Sequence, residues 1–306
     1  MNNTANELLK TVTDIENGNF KGAYNIRING ACASRQSTEH IKIENKPDAP
    51  GLVVKIDADT VGETVYVPAC VTAGGVDDLV YNDFYIGENA DVTIVAGCGV
   101  HSDDSADAKH NGIHRFFLRK GAKVLYKEKH IGTGKGNGAK HINPVTDAYL
   151  EENSVLTMDT IQLSGVDSTD RKTTAKLAKD AKIVVRERLL TDGDEYAKTD
   201  FEVVLEGENS GADIVSRSVA KGNSKQEYSS RIIGKCPCTG HTECDAILAG
   251  NGKVYASPSL SAEHEDASLI HEAAIGKIAG EQILKLRTLG LTEAEAEDKI
   301  IMGFLK

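Results

Sequence analysis

Apolar and polar positions recur in a repeating unit along the middle of the chain. Ile86-Gly-Glu-Asn-Ala-Asp-Val-Thr-Ile94 is followed by Leu118-Arg-Lys-Gly-Ala-Lys-Val-Leu-Tyr126. Leu150-Glu-Glu-Asn-Ser-Val-Leu-Thr-Met158 and Leu177-Ala-Lys-Asp-Ala-Lys-Ile-Val-Val185 come next, so the starts are 32, 32 and 27 residues apart. Each unit reads as an apolar residue, two mostly polar ones, a turn former, a small residue and then alternating apolar positions. Weaker copies begin at Leu205 and Leu248. A period of this size predicts a repeat architecture. The alternation, as in Val92 and Ile94 or Ile183 and Val185, is that of a strand with one buried face. Gly, Asn and Asp tolerate the left-handed backbone of a sharp corner. One such unit cannot bury its apolar face alone. Stacked units can, as a β-helix or a β-sandwich, and the like-on-like pairing favours the β-helix, with the small residue after each corner forming a ladder.

The ends read differently. Asn6 to Gly18 places Leu8, Leu9, Val12 and Ile15 at helical spacing, which predicts a short helix capping one end of the solenoid. From about Ala267, positions Leu269, Ala273, Gly276, Ala279, Ile283 and Leu286 step by three or four, predicting a helix that Gly290 ends. Thr292-Glu-Ala-Glu295 reads as a capping box that opens a second helix, with Ala296, Ile300, Ile301 and Phe304 on one face. The expected division is residues 1–50 for the N-terminal helix and opening strands, 51–262 for the β-helix core and 263–306 for a helical tail. That tail is either a docking element or a cap.

Composition narrows the function. The 306 residues are 40% hydrophobic and 26% charged, as in a folded globular protein. Aromatic residues are 5% and Trp is absent, so the core is expected to be aliphatic. The formal charge of −11 argues against nucleic acid and against anionic membranes as partners. No apolar run reaches the ~18 residues of a membrane span, and the polar N-terminus is unlike a signal peptide, so a cytoplasmic protein is expected. Six cysteines are too sparse for a disulfide framework in a chain this long.

Three of those cysteines crowd into Lys235-Cys-Pro-Cys-Thr-Gly-His-Thr-Glu-Cys-Asp245. Cys236, Cys238 and Cys244 offer thiolates and His241 an imidazole for iron or zinc, and Lys235 is placed to help keep a thiolate charged. The spacing matches no zinc finger or ferredoxin, and ordinary buried cysteine remains the alternative. A second group holds Glu263, His264, Glu265, His271 and Glu272; its acidic members Glu263, Glu265 and Asp266 read as a solvated face. A third holds His101, His110 and His114. Its His-x3-His spacing is metal-like on a helix, whereas Asn111-Gly112 predicts a turn. Cys98, just before it, reads as core. Gly132-Thr-Gly-Lys-Gly-Asn-Gly-Ala-Lys140 lacks the Walker spacing and reads as a flexible basic loop between solenoid turns. No Gly-x-Ser-x-Gly elbow or His-Glu-x-x-His motif occurs, so the chain is not expected to be an enzyme or to hydrolyse ATP itself.

His241-Thr-Glu-Cys-Asp245 is similar to the His-Thr-Gln-Cys-Asp segment of SufB proteins, and His271-Glu-Ala273 resembles the Glu-His-Glu-Ala segment of the same family. The resemblance to the SufB/SufD family runs from about Gly165 to the C-terminus. The first half, in Ala23-Tyr-Asn-Ile-Arg27 and Val95-Ala-Gly-Cys-Gly99, resembles short SufB-like proteins of anaerobes and archaea. This resemblance implies a right-handed parallel β-helix and a scaffold on which a transient iron–sulfur cluster is assembled before transfer to apo-proteins. It implies C-terminal helices that dock a SufC-type ABC ATPase, whose closure rearranges a scaffold dimer, here a homodimer, and it implies a sulfur donor. Cys244 takes the position of the cluster-assembly cysteine, and His271 and Glu272 the His and second Glu of the Glu-His-Glu segment. Ile270 replaces that segment's first Glu, and Val203 aligns with a sulfur-accepting cysteine of SufB, for which Cys236 and Cys238 are the candidate substitutes.

Two other readings fit parts of the sequence: a SufD-like partner of the ATPase without its own cluster, and a zinc-binding β-helix interaction protein. A β-helix carbohydrate enzyme needs paired carboxylates and sugar-stacking rings, which a chain without Trp serves poorly.

Overall fold

The turn former and the small residue of each repeat fix the geometry of a rung. In the computed structural model, which describes residues 3–15, 19–163 and 165–306, the turn former takes a left-handed backbone in successive units: Asn89, Gly121, Asn153, Asp180 and Asn209 have φ between 56° and 71°. Each such residue from Gly121 to Asn209 donates its backbone N–H to the corner carbonyl of the following rung. The small residues Ala90, Ala122, Ser154, Ala181 and Ser210 are wholly buried beside them and form the expected ladder.

A helix opens the chain, α1 (Asn3–Thr13). Short strands follow: β1 (Ala23–Ile28), β2 (Ala31–Gln36), β3 (Ile41–Asn45), β4 (Gly51–Ile56), β5 (Val61–Tyr66) and β6 (Ala69–Val71). The rungs proper are β7 (Asp77–Ile86), β8 (Asp91–His101), β9 (Ala108–Leu118), β10 (Lys123–Thr133), β11 (Lys140–Ile142), β12 (Val145–Leu150), β13 (Val155–Gln162), β14 (Ser168–Leu177), β15 (Lys182–Thr191), β16 (Tyr196–Leu205), β17 (Gly211–Ala220), β18 (Lys225–Gly234), β19 (Cys238–Leu248), β20 (Lys253–Ala262) and β21 (Ala267–Lys277). Two helices close the chain, α2 (Gly280–Thr288) and α3 (Glu293–Phe304).

Strands alternate between two sheets. From β13 onward the first sheet stacks β13, β15, β17, β19 and β21, and the second stacks β14, β16, β18 and β20, all parallel and in register. The result is a parallel β-solenoid of about 8 turns with 58% strand and 11% helix. Among the described residues only the opening pairs, β1 with β2 and β3 with β4, are antiparallel. Aliphatic and aromatic side chains of the inner faces form one continuous core, in which Phe84 stacks on Phe116.

Four readings of the sequence change here. The copy at Leu248 is out of frame. Leu248 pairs with Ala220 in the first sheet, whereas Leu205 pairs with Gly234 in the second. Leu248 therefore starts the opposite corner, which Gly193, Gly222 and Gly250 turn with φ of 60° to 65°. Residues 267–277 are a strand rather than the start of a helix: Ala267, Leu269 and His271 lie on the inner side, and pairing with β19 overrides the helical spacing. Asn111-Gly112 lies within β9 and makes no turn. The glycine-rich segment is stacked backbone rather than a loose loop, because Lys135 and Ala139 N–H donate to the Asp103 and Asp107 carboxylates one rung below.

The helices cover an outer face. Leu8 and Leu9 of α1 pack with Ile26 and Cys70, so α1 lies against the first sheet rather than across the solenoid's end. The stretch 16–18 of the helix expected from the sequence falls outside the described residues. At the other end of the same sheet, Ile301 and Leu305 at the C-terminal end of α3 pack on Val219 beside Leu190 and Ile247. The Thr292/Glu295 capping box starts α3 as the sequence predicts, and Gly290, at φ 95°, follows the end of α2. No residue of α2 is buried. Among the described residues no helix is long and apolar enough to cross a membrane.

Candidate functional site

The parity of β19 and β21 decides where each candidate ligand points. On β19, Cys238, Gly240, Thr242 and Cys244 face inward, whereas His241, Glu243 and Asp245 face out. On β21, His271 lies beside Thr242, Glu272 beside Glu243 and Ala273 beside Cys244. Cys244 and His271 therefore share the inner face as diagonal neighbours, roughly 8 Å apart at their α-carbons by strand spacing and rise. Glu272 stands on the outer face.

Cys244 is 1% exposed. Burial, with the negative charges of Glu187 and Asp245 adding to it, pushes its thiol up to about 12, so it is protonated at neutral pH. The His271 Nδ1 is buried with no hydrogen-bond partner. Such an imidazole nitrogen is costly to leave bare unless something binds it. Beyond His271 the inner side of the last rung opens: Leu260 and Ile275 are exposed, and β20 and β21 end their sheets with no further strand among the described residues.

Cys236 and Cys238 sit elsewhere. A strand rise of ~3.3 Å per residue puts Cys238 about 20 Å along β19 from Cys244, too far to share an ion. Both are buried in the corner. Where the leucines of preceding rungs stood, Gly234 leaves a gap that Cys238 fills, since a Cβ on Gly234 would lie 2.8 Å from the Cys238 Sγ. Burial, with Cys236 adjacent, raises the Cys238 thiol. All six cysteines are free thiols.

On the outer face, His241, Glu243 and Glu272 offer ligand atoms that lie within 4.8 Å of one another. The His241 Nδ1 is 2.8 Å from the Asp213 carboxylate, and its Nε2 is 3.6 Å from Glu272. The hydrogen bond to Asp213 raises the imidazole despite its partial burial, with Glu272 adding to the rise. A groove of about 660 Å³ runs beside it, lined among others by Arg186, Arg217, Asp213 and Lys306. Thus Glu272 belongs with His241 and Glu243. The pairing of His241 with Glu243 was readable from their i, i+2 spacing once β19 is taken as a strand. Glu263 and Glu265 are exposed and His264 contacts its neighbour Asp266, as a solvated turn would be.

Inside the solenoid a polar chain runs toward Cys244. The Tyr126 hydroxyl donates to Glu128 at 2.8 Å, and Arg171 donates to Glu128 at 2.6 Å and lies 3.5 Å from Glu187. Ser216, the register neighbour of Cys244, donates to Glu187 at 2.7 Å. Burial pushes the Glu128 carboxyl up, but Arg171 and His130 outweigh it and hold it well below the usual range. Val203 lies in the buried core between Ala175 and Ile232 and brings no thiol to this interior.

The last described rung of this parallel β-solenoid thus sets the buried Cys244 diagonally beside the half-buried His271. The comparisons with known proteins identify the family. Residues 81–304 match the model for "SUF system FeS cluster assembly, SufBD core domain". An iron-sulfur cluster assembly SufBD family protein of Methanothermobacter thermautotrophicus (strain Winter) is 32% identical over 250 residues, covering 79% of this chain and 59% of that protein. Its counterpart in Archaeoglobus fulgidus is 32% identical over 80% of this chain and 66% of its own length. A Methanocaldococcus jannaschii member is 26% identical over 77% of this chain and 74% of its own. The chain belongs to the SufBD family of iron–sulfur cluster assembly proteins. It spans about three fifths of the length of the Methanothermobacter relative.

Proposed function

We propose that the chain is a scaffold on which iron and sulfide are assembled into a transient cluster that is then passed to apo-proteins. The observation that carries this reading is the shared inner face of Cys244 and the bare His271 Nδ1 at the open last rung. Cys244 supplies a sulfur ligand, losing its proton as iron binds, and His271 supplies an imidazole. Glu272, on the outer face with His241 and Glu243, holds iron as cargo rather than completing the inner site. Incomplete thiolate ligation makes for a labile cluster, which suits transfer. Cys236 and Cys238 form a separate thiol pair for the sulfur relay that Val203 leaves without a cysteine.

The scaffold pairs with itself through the free edges of β20 and β21, where exposed Leu260 and Ile275 would be covered. A SufC-type ATPase docks on α2, whose Leu284 is 60% exposed. ATP-driven closure of that partner would open the dimer and give iron and sulfur access to Cys244. We place the protein in the cytoplasm, where its six free thiols stay reduced. One observation favours a second reading, that of a SufD-like partner without a cluster: Cys244 is closed off and protonated.

Anaerobic reconstitution of the wild type and of Cys244→Ser, with and without the ATPase, tests the choice. An oxygen-sensitive chromophore with bound iron and sulfide in the wild type alone supports the scaffold. Absence of iron and sulfide from both proteins under every condition leaves the structural-partner reading.

A further inference from the structure

The outer face of the first sheet carries a strip of positive charge on an acidic chain. Across β10, β13, β15 and β17, which are neighbours in that sheet, the outward positions hold seven Lys and Arg residues and only two carboxylates, Asp159 and Asp213. The whole molecule has a formal charge of −11. Both carboxylates are already taken, Asp159 by Arg188 and Asp213 by Arg186. Lys129 is held at 2.7 Å by Asp14, just past the end of α1. Lys127 and Arg217 are exposed and close no ion pair with another described residue. The charge of Arg217 reaches Glu243 through space without forming a bridge.

The strip is also the floor of a trough. The groove of about 660 Å³ beside His241 meets a second of about 490 Å³ at Asp159 and Arg188, which line both. Thr13 and Asp14 wall the second groove, and Lys306, past α3, walls the first. The α1 wall is seated firmly, because Leu8 and Val12 rest on Gly99 and Gly97, where an added Cβ would lie 3.0 Å and 2.6 Å from them. Between the cations the floor is apolar, with Leu125, Ile161 and Val215. Acidic residues bound the strip at both ends, Asp91 on β8 and Glu243 and Asp245 on β19.

This layout selects the shape of an anionic partner. Three strand spacings of ~4.8 Å and two residues of rise put the Lys127 and Arg217 α-carbons roughly 16 Å apart. A phosphate or small carboxylate that sits on one leaves the other open. A nucleic-acid backbone runs on past the strip and meets the acidic rims. A lipid surface cannot follow the floor beneath the helix wall. An extended peptide spans the strip with about five residues at ~3.3 Å each. It can set carboxylates on the cations and apolar side chains on Leu125 and Val215, so that charge fixes its position and the apolar floor adds contact.

We propose that this trough docks an acidic, extended segment of a partner protein, laid along the direction in which the rungs stack and beside α1 and α3. Lys127 and Arg217 are the two open charges that receive it, and the paired Arg186 and Arg188 form the middle of the strip. The surface is apart from the inner face of Cys244 and from the free edges of β20 and β21, and it does not depend on the scaffold reading.

The test uses the full chain and a fluorescein-labelled peptide of Glu-Glu-Leu repeats, roughly nine residues long so that it overhangs the strip. Binding is read by fluorescence anisotropy at low ionic strength. Saturable binding that weakens with added salt is expected, and none of the Gln-Gln-Leu counterpart. Lys127→Glu combined with Arg217→Glu should weaken binding ~10-fold or more. Lys172→Glu combined with Lys176→Glu, on the outer face of the second sheet, should leave it unchanged. Thermal melts show that each variant is folded. No binding to the wild type, or equal binding to the wild type and the Lys127→Glu, Arg217→Glu variant, overturns the proposal. So does displacement of the peptide by micromolar citrate, which would make this a small-anion site, or tighter binding of a DNA duplex through the same two residues. Sedimentation separates the remaining occupant: self-association of the wild type that the double variant loses would assign the trough to a second copy and overturn the partner segment. Cluster reconstitution at Cys244 is read separately, so either proposal can fail alone.

Discussion

Cys244 and Glu272 lie on neighbouring strands one residue out of register and project to opposite faces of the same sheet. Glu272 pairs with Glu243 on the solvent side, and Cys244 pairs with Ala273 on the core side. A single ion cannot touch both side chains without movement of β21. The two residues therefore mark two candidate sites, an inner one with thiol and imidazole and an outer one with imidazole and carboxylates.

That separation predicts how variants divide. Glu272→Gln should lower iron(II) binding by the outer group, measured anaerobically by equilibrium dialysis, while leaving the protection of the Cys244 thiol unchanged. Cys244→Ser should do the reverse, abolishing the reconstituted chromophore while iron(II) binding at His241 and Glu243 persists. Equal loss of both properties in either variant would mean that one site, not two, is present in solution.

Thiol chemistry reads the burial directly. Cys32 is exposed, whereas the other five cysteines are buried. Since the Cys244 and Cys70 thiols are pushed up to about 12, chiefly by burial, neither offers thiolate at pH 8. Native protein treated with an aromatic disulfide reagent should release one rapid equivalent, lost in Cys32→Ser, and the rest only on denaturation. If self-association and the ATPase open the last rung, Cys244 should become the second rapid thiol when ATP is added to the complex.

The buried pair of Arg171 and Glu128 gives a stability prediction with a sign. Arg171→Met leaves Glu128 as an uncompensated buried charge, which should cost about 3–5 kcal/mol at pH 7 in urea unfolding. The carboxyl is held below its ordinary 4.5 in the fold, so its contribution is complete above that pH and declines as pH falls through and below it. In the variant a protonated Glu128 needs no cation. The gap between wild type and variant should therefore narrow on acidification, and Glu128→Gln with Arg171→Met should recover part of the loss.

The legible parts of the sequence were those set by local backbone demand. Asn89, Asn153, Asp180 and Asn209 mark corners because few other residues tolerate their φ, and Ala or Ser follows because the corner leaves room for nothing larger. The strand at 267–277 was illegible for the converse reason. Among the described residues no rung stacks beyond it, so nothing there demands apolar alternation, and Ala273, Ala274 and Gly276 satisfy helical spacing as readily. That one element hid the split of the site, because only the register of β21 assigns His271 and Glu272 to different faces. The interior polar chain was hidden too: Glu128, Arg171 and Glu187 occupy inward positions that a hydrophobic pattern assigns to the outside. Cys238 and Gly234 show that a cysteine at ligand-like spacing can be filling the volume of a missing leucine.

The two C-terminal helices should separate in function. Ile301 of α3 is buried on Val219, and Lys221 pairs with Asp298, so α3 is part of the packed structure. Its Ile301→Ala variant should loosen the tail, a buried Ile-to-Ala change costing about 2–5 kcal/mol, seen as faster amide exchange across residues 293–304 with the rungs unaffected. By contrast α2 buries nothing and leaves Leu284 and the following Leu289 in solvent. Apolar side chains that a helix leaves in solvent are what a docking helix presents. Leu284→Glu should thus leave the melting temperature unchanged and abolish capture of the SufC-type ATPase in a pull-down with purified components. Capture by Leu284→Glu at wild-type strength, with loss in Ile301→Ala, would move the docking surface from α2 to the face that α3 builds.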